Sequence, residues 1–222
     1  MAALFDVIDH PSPNFGMRRD GAQPSLIVLH HTAMQSDAAA LERLCAPEAE
    51  VSAHYLIGAQ GAVWRLVDEE ARAWHAGAGQ WGAIHDVNSY SIGIELDNRG
   101  DHPFSEPQMK ALEVLLPQIM RRWGITAQGV IGHSDMAPCR KSDPGPRFDW
   151  RRLARQFLSV WPEPCPDPGN LSDDLLRFGY PPVEESLRLA VFRRRFRPWA
   201  RGPVDAVDAA LAADLAARWP FA

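Results

Sequence analysis

Two short apolar runs in this chain end on a histidine, Ser25-Leu-Ile-Val-Leu-His30 and Gly129-Val-Ile-Gly-His133. Runs this short, rich in β-branched and aliphatic residues, are the pattern of buried strands. A histidine at the end of such a strand sits on a rigid support at the edge of a sheet, a good place for a metal ligand. The chain must therefore build a sheet whose ends are chemically active.

The remaining segments supply the rest of that sheet and its cover. Ser91-Ile-Gly-Ile-Glu-Leu96 is a further buried strand. Ala53–Ile57 and Ala62–Val67, joined by a turn at Ala59-Gln-Gly61, form a hairpin. Ser36 to Leu44 reads as a helix capped by Ser36 or Asp37. Ser105 to Trp123 carries Met109, Leu112, Leu115, Leu116, Ile119 and Met120 at helical spacing, and Trp150 to Trp161 is a closing helix. Trp74 to Asn88 has no period and is an ordered loop. The fold expected is α/β, a mixed central sheet flanked by helices, over residues 1–161. Residues 162–169 include Pro162, Pro164, Pro166 and Pro168 and read as a linker. Residues 170–222 hold three short helices, Leu171–Phe178, Val183–Phe196 and Val204–Trp219, as a small C-terminal domain. The arginines 193, 194, 195 and 197 read as a solvated helix face.

Composition removes several function classes. A formal net charge of −5 offers no attraction to a polyanion, so nucleic acid is not an expected partner. No apolar run approaches the roughly 20 residues needed to cross a bilayer. The opening residues are too acidic for a secretory core, so the expected compartment is the cytoplasm, with the cell envelope as the alternative. Three widely spaced cysteines suggest neither disulfides nor a thiolate zinc site. No protein partner is evident.

A catalytic zinc site needs about three protein ligands and an open position. His30, His133 and Asp143 are candidates. Asp143 stands ten residues after His133 in the stiff loop Lys141-Ser-Asp-Pro-Gly-Pro146. Lysine occurs only at Lys110 and Lys141, and the second lies beside Asp143, where a compact ammonium is suited to a developing charge.

Six motifs carry a resemblance: Leu29-His-His-Thr-Ala33, Val51-Ser-Ala-His-Tyr-Leu-Ile57, Ala73-Trp-His-Ala-Gly77, Asn88-Ser-Tyr-Ser-Ile-Gly-Ile-Glu95, Gly132-His-Ser-Asp135 and Arg140-Lys-Ser-Asp-Pro-Gly-Pro146. In order and spacing they resemble the zinc-dependent N-acetylmuramoyl-L-alanine amidases of the AmpD and AmiD kind, over about Pro11 to Trp161. The resemblance implies one Zn²⁺ per chain held by His30, His133 and Asp143. It also implies Glu95 as acid/base, Lys141 as partner of the oxyanion, and peptidoglycan or anhydro-muropeptide as substrate. Trp74, His54 and His75 occupy positions that touch substrate or support the site in that family, a structural role being equally open for the two histidines. Asp135 is able to orient a ligand or stabilise a turn. His31 faces away from the metal if His30 faces it, and His10, His85 and His102 read as surface residues.

Two departures bear on substrate. Family arginines that suit the stem-peptide carboxylate have Glu50 and Asp86 nearest their places here, with Arg65 or Arg72 as possible substitutes. Residues 170–219 resemble a small peptidoglycan-binding module, or else form a cap over one face of the catalytic unit. A non-catalytic peptidoglycan-recognition protein of the same fold is the competing function. A zinc peptidase is disfavoured, since no His-Glu-x-x-His pair occurs.

Overall fold

The structure is a computed structural model that describes residues 6–166 and 168–221. Residues 1–5 of the N-terminal segment, Asp167 of the proline-rich segment and Ala222 lie outside the described residues. In chain order come β1 (Val7–Asp9), β2 (Phe15–Met17), β3 (Leu26–His31), α1 (Asp37–Cys45), β4 (Tyr55–Ile57), β5 (Val63–Arg65) and β6 (Ala71–Ala73). Next are α2 (Val87–Tyr90), β7 (Ser91–Leu96), α3 (Glu106–Trp123), β8 (Val130–Gly132), α4 (His133–Met136) and α5 (Trp150–Ala154). The chain then forms α6 (Leu171–Phe178), α7 (Glu185–Phe196) and α8 (Ala206–Arg218).

The main sheet has the strand order β1-β5-β4-β7-β3-β8 and is mixed, because β4 and β5 pair antiparallel as the expected hairpin while the other neighbours run parallel. A small antiparallel pair, β2 with β6, stands beside it. The mixed sheet with flanking helices is the fold expected above.

Strand alternation divides the core in two. Ile27 and Leu29 of β3, with Ile92, Ile94 and Leu96 of β7, pack under Leu112, Leu115, Leu116 and Ile119 of α3. Leu26 and Val28, on the opposite face, pack with Ile131 against Phe178, Phe192, Phe196 and Leu215. The C-terminal helices therefore share a hydrophobic core with the sheet, as parallel strands covered on both faces require. Trp81, fully buried, stacks edge-on with Phe178 and Tyr180 in that second core.

Helix starts follow capping chemistry. The side chains of Ser36, Ser105, Asn170 and Asp205 accept backbone N–H groups in the first turns of α1, α3, α6 and α8. The helix expected over Trp150 to Trp161 is shorter, ending at Ala154. Phe157 then adopts a left-handed backbone at φ 59°, and the turn carries Leu158 and Val160 into the two cores.

The arginine-rich face is not solvated. Arg193 and Arg195 are buried, the first ion-paired with Asp208 and the second with Asp135. The carboxylates that make this burial tolerable come from distant positions, so the expectation of a solvent-facing stripe is overturned.

Phe192→Ala should cost about 3–5 kcal/mol in urea unfolding, as for other buried aromatics. Met17→Ala, at a side chain 90% exposed, should stay within about 0.5 kcal/mol. Equal effects would show that the second core is not packed as described.

Candidate active site

His30 is delivered by β3, His133 by the first residue of α4 directly after β8, and Asp143 by the following loop. All three are buried. His30 Nδ1 and His133 Nδ1 lie 2.8 Å apart, and Asp143 Oδ2 is 3.1 Å from each. The backbone N–H of Ser134 donates to the Asp143 carbonyl at 2.9 Å, tying the loop to α4.

Hydrogen bonds behind the rings define their tautomers. Ser91 Oγ gives its single proton to the Val87 carbonyl, so at 3.1 Å it accepts from His75 Nε2. His75 Nδ1 is then an acceptor and takes the Nε2 proton of His30 at 3.0 Å. His133 Nε2 donates to the Ala76 carbonyl at 2.9 Å. Both Nδ1 atoms thus present lone pairs to the same point as a carboxylate oxygen. Three buried acceptors with no donor among them repel one another unless a cation lies between. Their separations are near the ~3.3 Å expected between ligand atoms around a tetrahedral ion with ~2.0–2.1 Å bonds. The donor set fits a metal ion that accepts two imidazoles and a carboxylate.

Burial keeps the His30 and His75 imidazoles neutral. It lowers His30 to about 4, with neighbouring His133 adding to the effect, and takes His75 well below the usual range. Glu95 Oε1 stands 4.0 Å from His30 Nδ1, and its Oε2 is buried without a hydrogen-bond partner. Burial, helped by the Asp143 charge, pushes the Glu95 carboxyl up to about 8. The group lines a cleft of about 430 Å³ together with His31, Trp74, Arg140 and Lys141.

The family model for N-acetylmuramoyl-L-alanine amidase matches residues 20–146. The N-acetylmuramoyl-L-alanine amidase AmiD of Escherichia coli is 35% identical, over 86% of this chain and 81% of that protein. The 1,6-anhydro-N-acetylmuramyl-L-alanine amidase AmpD of Enterobacter cloacae is 32% identical, over 68% of this chain and 89% of that protein. A solved structure of E. coli AmiD, in complex with the substrate anhydro-N-acetylmuramic acid-L-Ala-D-gamma-Glu-L-Lys, superposes with a TM-score of 0.80. It is 33% identical, and the match covers 90% of this chain and 92% of that one. The chain belongs to the N-acetylmuramoyl-L-alanine amidase family.

In this amidase the other residues singled out by sequence separate into two groups. Trp74, His75 and Lys141 line the cleft. His54 does not: its Nδ1 accepts from the Gly93 N–H at 2.9 Å, and its Nε2 meets the Ala71 carbonyl at 3.2 Å, which ties the sheet together. His54 is buried in these contacts, away from the residues that line the cleft. Asp135 is also away from the cleft and touches neither ring, so it does not orient a ligand through a ring nitrogen. Its carboxylate instead accepts from the Gly132 N–H at 2.8 Å. His31 is half-buried against Gly100, and His10, His85 and His102 are exposed.

Neither suggested arginine reaches the cleft. Arg72 pairs with Asp86 at 2.8 Å and Arg65 with Asp9 at 2.8 Å. The cations that line it are Arg43, Arg140 and Lys141. Arg140 donates to the Ala76 and Ala78 carbonyls, bracing the loop after β6 that receives the His133 proton. Sequence reasoning missed Arg43, which looks like any surface arginine in a last helical turn. It also missed Gly93 and Ser91, although the period-two spacing of Ser91, Gly93 and Glu95 was available to show that they share a face. A Cβ on Gly93 would lie 2.4 Å from His75 Cγ, so only glycine admits the ring that positions His30.

Nitrogen NMR of the imidazoles should find His30 and His133 protonated at Nε2. Gly93→Ala should destabilise the fold by roughly 1–3 kcal/mol through overpacking and change the His30 signal. An unshifted His30 resonance in that variant would refute the ring–ring contact.

Proposed function

We propose that this protein is a zinc-dependent amidase that hydrolyses the bond between N-acetylmuramic acid, or its 1,6-anhydro form, and the L-alanine of the stem peptide. The observation that carries the reading is the meeting of three buried acceptor atoms beside the Glu95 carboxyl, whose Oε2 has no hydrogen-bond partner among the described residues, in a chain of this family. His30 Nδ1, His133 Nδ1 and Asp143 Oδ2 hold one zinc ion. When bound, zinc supplies Lewis acidity, which makes water nucleophilic near neutral pH and draws charge onto the attacked carbonyl oxygen.

The chain's own groups do the rest. Glu95 takes a proton from the attacking water and returns it to the departing L-alanine nitrogen, a role suited to a carboxylate raised toward neutrality. Lys141, exposed at the cleft, places its ammonium near the developing oxyanion. Trp74 provides an apolar wall for substrate. His75 fixes the His30 ring, and the Ala76 carbonyl fixes that of His133. The helices of residues 170–221 supply no catalytic group, since they hold neither histidine nor lysine. Likeness to AmpD, named a 1,6-anhydro-N-acetylmuramyl-L-alanine amidase, supports anhydro-muropeptide as a substrate and cytoplasmic recycling as the setting. A preference for intact sacculi would move it to the envelope.

Purified sacculi and anhydro-muropeptides, incubated with and without chelator and analysed by mass, test activity and substrate together. Free stem peptide should appear only without chelator; binding with no cleavage would mean a recognition protein instead. His133→Ala and Asp143→Ala should lose both zinc and turnover. Glu95→Gln should keep zinc while kcat falls by ~10²–10⁴. Near-normal kcat in Glu95→Gln would move proton transfer to another group.

A further inference from the structure

Asp135 is 1% exposed, and its carboxylate joins two parts of the molecule. Oδ2 accepts from the Gly132 N–H at 2.8 Å, just ahead of His133. The same oxygen accepts from the Arg195 guanidinium of α7 at 2.7 Å. Oδ1 accepts from the Tyr180 hydroxyl, which follows α6, at 3.0 Å. None of these bonds reaches solvent.

Arg195 also reaches the other side of His133. Its second terminal nitrogen donates to the Val130 carbonyl of β8 at 3.1 Å and to Ser159 Oγ at 3.2 Å. The guanidinium lies over the Trp150 ring, 4.1 Å from the centroid, so its plane is held as well as its charge. One side chain thereby spans the junction from residue 130 to residue 135 that carries His133. Movement of that junction would carry Asp143 with it. Pro144 packs so closely on Gly132 that a Cβ there would meet Pro144 Cδ at 2.8 Å, and Ser134 is bonded to the Asp143 carbonyl.

We infer that Arg195 and Tyr180 are positioning residues of the metal site: acting through Asp135, the C-terminal helices hold His133 and Asp143 at zinc-binding separation. The inference rests on the zinc reading above. It gives the C-terminal helices a role in the chemistry that needs no glycan contact. A fixed guanidinium fork is required, because a lysine ammonium cannot span the Val130 carbonyl and the Asp135 carboxylate in the same plane.

A second buried ion pair supplies the control. Arg193 binds Asp208 and the carbonyls of Gly202 and Pro203, all within α7, α8 and their connection. The experiment measures the zinc dissociation constant by chelator competition, and the Tm of the metal-free protein, for Tyr180→Phe, Arg195→Lys and Arg193→Lys. Tyr180→Phe keeps its ring in the core, so at least one test variant stays folded. Tyr180→Phe and Arg195→Lys should weaken zinc binding by about 10-fold or more, as for groups that orient ligands. Arg193→Lys should lower Tm and leave the zinc constant unchanged. Wild-type zinc affinity in both Tyr180→Phe and Arg195→Lys overturns the inference, and so does an equal loss in Arg193→Lys. If the wild-type protein binds no zinc, the metal reading itself fails, a result distinct from either of these.

Discussion

The site depends on one pairing, β3 beside β7 in parallel, with His30 opposite Glu95. Side chains alternate across a strand, so this register places Leu26, Val28 and His30 in a row next to Ser91, Gly93 and Glu95. A slip of one residue would turn either His30 or Glu95 toward the α3 core and bring a neighbour such as Leu29 or Ile94 to the cleft. The isoleucine and leucine side chains held under α3 make such a slip costly, which is how an apolar core on one face enforces the chemistry on the other.

Along that row the environment changes from apolar to polar within a few residues. Leu26 and Val28 lie under the aromatic side chains of α6 and α7, whereas His30, one step further, meets His75, His133 and Asp143. Ser91 directs the His75 proton, Gly93 makes room for the ring, and Glu95 reaches the cleft. The three successive positions on one face of β7 thus perform three separate tasks. Rings whose lone pairs are already aimed at one point need little reorganisation to receive a cation.

The C-terminal helices are more than a cover. They close the second face of the sheet, and they bury the charges of Arg193 and Arg195 only because carboxylates await them. An unpaired charge in such a place would be strongly destabilising. Asp135 serves both sides: within its own short helix it satisfies the Gly132 N–H, and across the core it neutralises Arg195.

Much of this was legible in the sequence. The β3 and β7 segments stand out as short apolar runs and α3 by its helical period, His30 and His133 stand at strand ends with Asp143 in a stiff loop, and the resemblance to the family added Glu95. Local chemistry also marked the hairpin and the start of α1, with Ser36 or Asp37 as its cap and Ser36 found in that role. What remained undecided depends on pairs far apart in the chain. His54 and His75 are alike in sequence, yet one closes onto the Gly93 and Ala71 backbone and the other onto a ligand ring, because only packing decides which polar group each nitrogen meets. Likewise, arginines spaced along α7 look solvated until Asp135, 60 residues away, is brought beside Arg195. The sequence by itself determined which residues could hold a metal and which segments carry them. Tertiary structure alone decided which rings are oriented and which charges are buried, since hydrogen-bond partners and desolvation are properties of neighbours in space.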